Sequence, residues 1–271
     1  MNLSYGRPYL AIPGPSVMPD RVLAAMHRAS PNIYGGSLHD MVETIWPDLK
    51  NVAGTAANVA LYIGNGHASW EAANANLFSR GDKALVLATG NFGHGWARSV
   101  RAMGVEVDVL DFGTASSVDP GQFEAALRAD GAHKLRAVLV TQVDTASTIK
   151  NDIAALRRVM DLVGHPALLA VDCIASLGCD EYRMDAWGVD VTVAASQKGL
   201  MTPPGLGFVW FSQKAVIGRL VGFRHAQTSA QSDACFLFGP IAQPGGVRCP
   251  KPGRRHRMPA QSRVGHVQGN V

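Results

Sequence analysis

The 271-residue chain has few cysteines and no long apolar run, and these shortages narrow its class before any residue is singled out. No window approaches the roughly 18 uninterrupted apolar residues that a membrane span requires. The first nine residues also lack the basic start and apolar stretch of a secretory leader, so a cytoplasmic protein is expected. The four cysteines, Cys173, Cys179, Cys235 and Cys249, form no C-x-x-C pair, which argues against a disulfide scaffold or a zinc finger. Cys173 follows an apolar run and reads as a small packing residue rather than a nucleophile. His67, His94 and His165 show no H-E-x-x-H or comparable ligand spacing and no acidic cluster accompanies them, so no metal is assigned. The G-x-S-x-G elbow of α/β-hydrolases is missing. Gly64 and Gly66 do not complete a G-x-G-x-x-G dinucleotide motif, because residue 69 is Ser.

What remains is a composition of 47% hydrophobic and 17% charged residues, suited to a globular fold with a sizeable core. The net charge of +4 suggests a nucleic-acid partner until its source is located. Eight of the 25 Lys/Arg and one of the 21 Asp/Glu lie after residue 217, leaving 17 bases against 20 acids in the body. The body is therefore mildly acidic, and neither a nucleic-acid nor a membrane partner is expected for it. Residues 218–271 hold eight Gly and five Pro with clustered Arg and His, and read as an atypical basic tail without a packed core. Such a switch in composition is also what a high-GC gene read in a shifted frame produces.

The body alternates short apolar runs with helical patterns. Strands are expected at 59–63, 84–88, 105–110, 136–141, 167–171, 189–194 and 206–211. Helical spacing marks segments such as 68–78, 120–129 and 153–163. Seven strands with helical crossovers predict an α/β fold, a three-layer αβα sandwich around a mostly parallel sheet. The expected organisation is an N-terminal arm over 1–20, one large domain over 21–217 and the tail.

Function in such sheets gathers at the carboxyl ends of the strands. Lys198 stands there in Ser-Gln-Lys-Gly, where a lysine can form an imine with a carbonyl compound; a solvated turn lysine is the plain alternative. Asp172 ends the preceding strand, where a buried carboxylate needs a cation or strong donor. A protonated pyridine nitrogen is one such partner, and an acid and a lysine on neighbouring strand ends suit pyridoxal phosphate. A helix cap or metal ligand would also use Asp172. Gly64-Asn65-Gly66-His67 joins a strand to a helix whose free N–H groups can receive a phosphate, although many such turns bind none. Phe92 lies beyond another strand, able to stack on a planar cofactor or to pack in the core. Gln142 and Thr145 could bond the cofactor or substrate, or belong to a surface turn, and Asp144 could be a structural cap.

These segments resemble class V aminotransferases of fold type I, in particular the serine–glyoxylate and alanine–glyoxylate aminotransferases. The likeness runs from about Pro13 to Ala215. It rests on Pro13-Gly14-Pro15-Ser16, Gly64-Asn65-Gly66-His67 with Glu71-Ala72, Val171-Asp172-Cys173-Ile174-Ala175-Ser176-Leu177-Gly178, and Ser196-Gln197-Lys198-Gly199 with Pro203-Pro204-Gly205. The resemblance implies that Lys198 holds pyridoxal 5'-phosphate and moves the proton during catalysis, with Asp172 on the pyridine nitrogen. It further implies phosphate binding by Gly66 and His67 with help from Gln197, and stacking by Phe92 with Ile174 on the opposite face. Thr145 would lie on the 3'-oxygen side, and Gly14 and Tyr34 would border the substrate pocket, Tyr34 reaching a neighbouring subunit. The implied partners are an amino acid and a 2-oxo acid, with serine the preferred donor, glyoxylate the acceptor and a homodimer the working unit. Alanine–glyoxylate or aminoethylphosphonate transamination, or a catalytically impaired fragment, are the alternatives. A cysteine desulfurase would need a histidine where Phe92 stands. Relatives continue well past the equivalent of Ala215 into a small C-terminal domain, and no tail arginine sits in a motif matching their carboxylate-binding arginine.

Overall fold

Residues 10–216 are described by the structure, a computed structural model. The expected tail, and residues 1–9 of the expected arm, lie outside the described residues. Thirteen elements follow one another in this span. Two helices, α1 (Asp20–Met26) and α2 (Ser37–Ala53), lead into β1 (Asn58–Gly64), α3 (Gly66–Leu77), β2 (Lys83–Ala88), α4 (Asn91–Ala102) and β3 (Glu106–Asp111). Then come α5 (Pro120–Ala129), β4 (Leu135–Thr141), α6 (Ile153–Val163), β5 (Leu168–Asp172), β6 (Val191–Ala195) and β7 (Gly205–Phe211).

The seven strands form one sheet in the order β1-β7-β6-β5-β4-β2-β3. The four pairings from β6 through β3 are parallel, whereas β7 runs antiparallel to both β1 and β6. The mostly parallel sheet expected from the pattern is present, and all seven strands lie where the apolar runs predict them. The reversal of β7 carries no signature in its composition. The nine-residue loop between β6 and β7, residues 196–204, is too short for a helical crossover, which a parallel neighbour requires.

The strands are apolar on both faces because both are covered. Along β2, Ala84, Val86 and Ala88 pack into one cluster while Leu85 and Leu87 pack into another. β4 divides in the same way, Ala137 and Leu139 against Val138 and Val140. This period of two sends alternate side chains to opposite faces. On one face Trp46 and Leu49 of α2, Phe123 and Leu127 of α5, and Leu156 and Met160 of α6 complete the core. On the other, α3 and α4 supply Trp70, Ala73, Trp96 and Val100. Helix starts are fixed locally: Asp119 and Asp152 accept the N–H groups of Gln122 (2.7 Å) and Ala155 (2.9 Å), satisfying donors that a first helical turn leaves open. No helix among the described residues is long and apolar enough to cross a membrane.

One buried polar pair ties α5 to β5. His165, 2% exposed, accepts the Ala167 N–H through Nδ1 (3.2 Å), which leaves the proton on Nε2, 3.2 Å from Asp130 Oδ2. Burial pushes the imidazole below its ordinary value of 6.5, against a smaller upward pull from Asp130. A histidine with a lowered folded-state pKa contributes its full stability above the unfolded value and loses it as the pH falls beneath. Replacing His165 by Asn is therefore expected to cost about 1–3 kcal/mol near neutrality, the scale of unmade buried hydrogen bonds. Urea unfolding should show that the wild-type advantage shrinks as the pH is lowered through and below about 6.5. A constant difference would contradict this assignment.

Candidate functional site

The carboxyl ends of β1, β2, β4, β5 and β6 face one edge of the sheet, and because β7 is reversed its first residue, Gly205, pairs with Gly64 at that same edge. Helices α3 and α4 begin there. Asn65 caps α3 by accepting the Ala68 N–H at 3.2 Å. The next donors inward, on Gly66 and His67, are the ones an α-helix leaves unpaired at its start. Gly66 is buried against Ile174, and a Cβ there would overlap the end of the Ile174 side chain. The turn after β1 and the residue two past Asp172 are thus brought into contact.

Lys198 follows β6 by three residues and is half-buried. Its ammonium donates to the Pro13 carbonyl oxygen at 2.7 Å. The segment carrying Pro13 is pinned in turn: the Ser16 N–H bonds the Gln197 carbonyl (2.8 Å) and the Ser16 hydroxyl bonds the Lys198 carbonyl (2.9 Å). Gly14 takes φ +135°, and a Cβ built on it would lie 2.7 Å from Lys198 Cδ and 2.8 Å from Nζ. Only glycine combines that backbone with that approach. The residues 13–16 therefore form a strap across the lysine.

Asp172 ends β5 and is 4% exposed. Its Oδ1 accepts the Ile174 N–H at 2.7 Å and its Oδ2 the Trp70 indole N–H at 2.9 Å. No side-chain cation pairs with it among the described residues. Burial consequently pushes its carboxyl up to about 7, against the opposing pull of those two donors. Trp70, on α3, carries no motif signal in the sequence, where a helical tryptophan reads first as core. Its one donor, which must find an acceptor when buried, was the available signal.

Phe92 is half-buried in the first turn of α4 and stands edge-on to Trp70, ring centres 6.4 Å apart. His67 meets Trp70 from another side, edge-on at 4.8 Å. Asp144 is fully buried and caps α4 across the loop after β4: Oδ2 accepts the N–H groups of Phe92 (2.8 Å) and Gly93 (3.0 Å), and Oδ1 that of Ala146 (3.0 Å). The capping alternative for Asp144 is the one observed. Thr145 is half-buried beside it. Gln142 has no free end for a ligand, since its amide donates to the Glu181 carbonyl (2.9 Å) and accepts from the Ser176 hydroxyl (2.7 Å). Gln197 differs: its Oε1 is buried with no hydrogen-bond partner. Tyr34 is 89% exposed, so the single chain does not fold it into this cluster. A hollow of about 730 Å³ at Asp111, Phe112 and Asp119 contains none of these residues.

The cluster offers an open helix start, a lysine amine, a buried carboxylate without a cation, an amide oxygen without a partner and apolar groups in Phe92 and Ile174. That donor set fits a planar, phosphorylated ligand with a protonated ring nitrogen, and so fits pyridoxal phosphate. Comparisons with known proteins point the same way. A family model for class V aminotransferases matches residues 8–220. A serine–glyoxylate aminotransferase of Methylorubrum extorquens is 39% identical over 212 residues, 78% of this chain and 53% of that protein. An L-aspartate–glyoxylate aminotransferase of Paracoccus denitrificans is 42% identical over 211 residues, 76% of this chain and 52% of that one. Among solved structures, an aspartate aminotransferase of Thermus thermophilus superposes with a TM-score of 0.72 at 27% identity, covering 78% of this chain and 59% of that chain. The chain spans about half the length of the curated relatives it matches. With the matched family covering most of its length and the strand-end geometry in place, this chain belongs to the class V aminotransferases.

Proposed function

We propose that the chain carries the cofactor-binding half of a pyridoxal phosphate-dependent aminotransferase that moves the amino group of an amino acid to glyoxylate. The observation that carries this reading is Lys198 and Asp172 on the ends of neighbouring strands, beside the open start of α3. The relatives' names support glyoxylate as acceptor and divide over the donor, serine in one and aspartate in another. Serine is our preferred donor, with glycine and hydroxypyruvate as products; alanine and aminoethylphosphonate are the alternatives.

Bound pyridoxal phosphate would supply a carbonyl that takes up the amino group and a ring that draws electrons from the amino acid's Cα. Lys198 Nζ would hold the cofactor and carry the proton to and from Cα, the strap keeping its side chain aimed. Asp172 would hold a proton on the ring nitrogen. A carboxyl that burial has raised to about 7 gains most from such a cation, because pairing relieves the desolvation that raised it. Gly66 and His67 would bind phosphate through their backbone N–H groups, with Gln197 assisting. Phe92 and Ile174 would bound the ring's two faces and exclude water, and Thr145 would meet the 3'-oxygen side. Gly14 would border the substrate. In a homodimer Tyr34, so exposed in the single chain, would face the neighbouring subunit's site.

A second reading has one observation behind it. Tyr34, 89% exposed, does not join the cluster in the single chain, so a chain on its own would bind cofactor without completing turnover. An absorption titration separates the two readings. Adding pyridoxal phosphate is expected to produce an absorption band distinct from that of the free cofactor, and Lys198→Ala should lack it. If the first reading holds, serine bleaches that band faster than aspartate or alanine and glyoxylate restores it. A band that ignores all three donors supports the binding-only reading, and no band in folded protein contradicts both. Gly14→Ala is a finer probe, since its Cβ would collide with Lys198. It should slow appearance of the band by about tenfold or more, with far-ultraviolet circular dichroism unchanged, the scale expected when a reacting group is misplaced by an ångström or so. An unchanged rate would show that the strap does not aim the lysine.

A further inference from the structure

Residue 70 lies four positions after Gly66, and α3 turns it toward the sheet until 2% of it is exposed. Its indole N–H meets Asp172 Oδ2 at 2.9 Å, while Oδ1 is held by the Ile174 N–H. The carboxylate is thereby gripped at both oxygens. The indole is itself fixed: Trp96 stacks on it nearly parallel, 6° between planes and 5.8 Å between centres. Trp96 donates to Asn74 Oδ1 at 2.9 Å, and Asn74 donates to the Ser99 hydroxyl at 3.2 Å. Gly95 packs beside the Trp70 ring, where a Cβ would meet it in ordinary van der Waals contact at 3.5 Å. His67 and Phe92 rest edge-on against the same indole. One side chain thus touches the carboxylate, the helix-start histidine and the aromatic at the start of α4.

We propose that Trp70 is a positioning residue that orients the Asp172 carboxylate toward the nitrogen of a pyridine-ring cofactor. A donated N–H also favours the charged form of a carboxylate, opposing the effect of burial. The inference rests on the reading that Asp172 meets the ring nitrogen, and its test keeps the two apart. Trp70→Phe retains an aromatic ring against Trp96 and removes the N–H together with the pyrrole part of the indole that carries it. Calorimetry would give the affinities of wild type and variant for pyridoxal phosphate and for its carbocyclic analogue, in which C–H replaces the ring nitrogen. Wild type should prefer the pyridine, and in Trp70→Phe that preference should fall by about tenfold, the scale of one charge-assisted hydrogen bond, while affinity for the analogue stays within a factor of about two. Equal weakening for both ligands, or an undiminished preference, means that Trp70 only packs and overturns the inference. Lack of preference in wild type means that the Asp172 reading fails and the inference with it.

A second measurement needs neither cofactor nor a folded Trp70 variant. In wild-type protein labelled at the indole nitrogens, the Trp70 N–H resonance should shift with pH around 7, to which burial raises the Asp172 carboxyl, and that component should be lost in Asp172→Asn, where His67 against the indole and Asp144 and Lys198 near residue 172 are unchanged. A resonance that does not respond to pH, or that responds equally in Asp172→Asn, overturns the contact.

Discussion

A carboxylate held in an almost dry place at the end of β5 constrains everything around it. Taking such a group out of water costs several kcal/mol unless donors or a cation compensate. Asp172 receives two donors, the Ile174 N–H and the Trp70 indole, and still has its carboxyl raised to about 7. The sheet surroundings explain why it stays buried. β5 lies between β4 and β6, its five residues all buried, so its last residue cannot turn out to solvent without breaking the ladder. Among the described residues the carboxyl is met by those two donors and feels the charge of Lys198, and burial still outweighs them.

The helices on that face are arranged to serve the same edge. α3 starts with open N–H groups beside Ile174, and α4 starts with its N–H groups taken by Asp144. Two equivalent helix starts thus have different fates. One is closed by a buried protein carboxylate, which also adds to the upward push on Asp172. The other is capped only by Asn65, which takes the Ala68 N–H. Across the edge, the strap at residues 13–16 holds Lys198 from the backbone side through Ser16 and from the tip through the Pro13 carbonyl. Helix start, carboxylate and lysine belong to three separate stretches of chain, and the parallel order of β1, β5 and β6 is what assembles them.

Much of this was legible in the sequence, for physical reasons. Strands buried on both faces appear as unbroken apolar runs, so their ends and the polar residues just beyond them, Asp172 and Lys198 among them, stand out. Asn65, Asp119 and Asp152 mark helix starts because short polar side chains suit those positions. Four features were hidden. α4 begins Asn-Phe-Gly-His-Gly, and glycine has poor helix propensity. One of its glycines answers tertiary packing instead: a Cβ at Gly93 would come within 2.9 Å of Ala88 Cα. Gln142 looked free for a ligand because its partners, Ser176 and the Glu181 carbonyl, lie more than 30 residues away in sequence. The reversed direction of β7 and the grip of Trp70 on Asp172 likewise exist only once distant segments meet.

The central claim is that Lys198, among all the lysines of the chain, is the one aimed at the carbonyl of a bound cofactor. Incubating the purified protein with pyridoxal phosphate, reducing with borohydride and locating the modified residue by peptide mass spectrometry tests it directly. The account predicts a single dominant adduct on Lys198, formed at substoichiometric cofactor and suppressed in Gly14→Ala. Adducts spread over exposed lysines such as Lys134 and Lys150, with Lys198 unmodified, would contradict it.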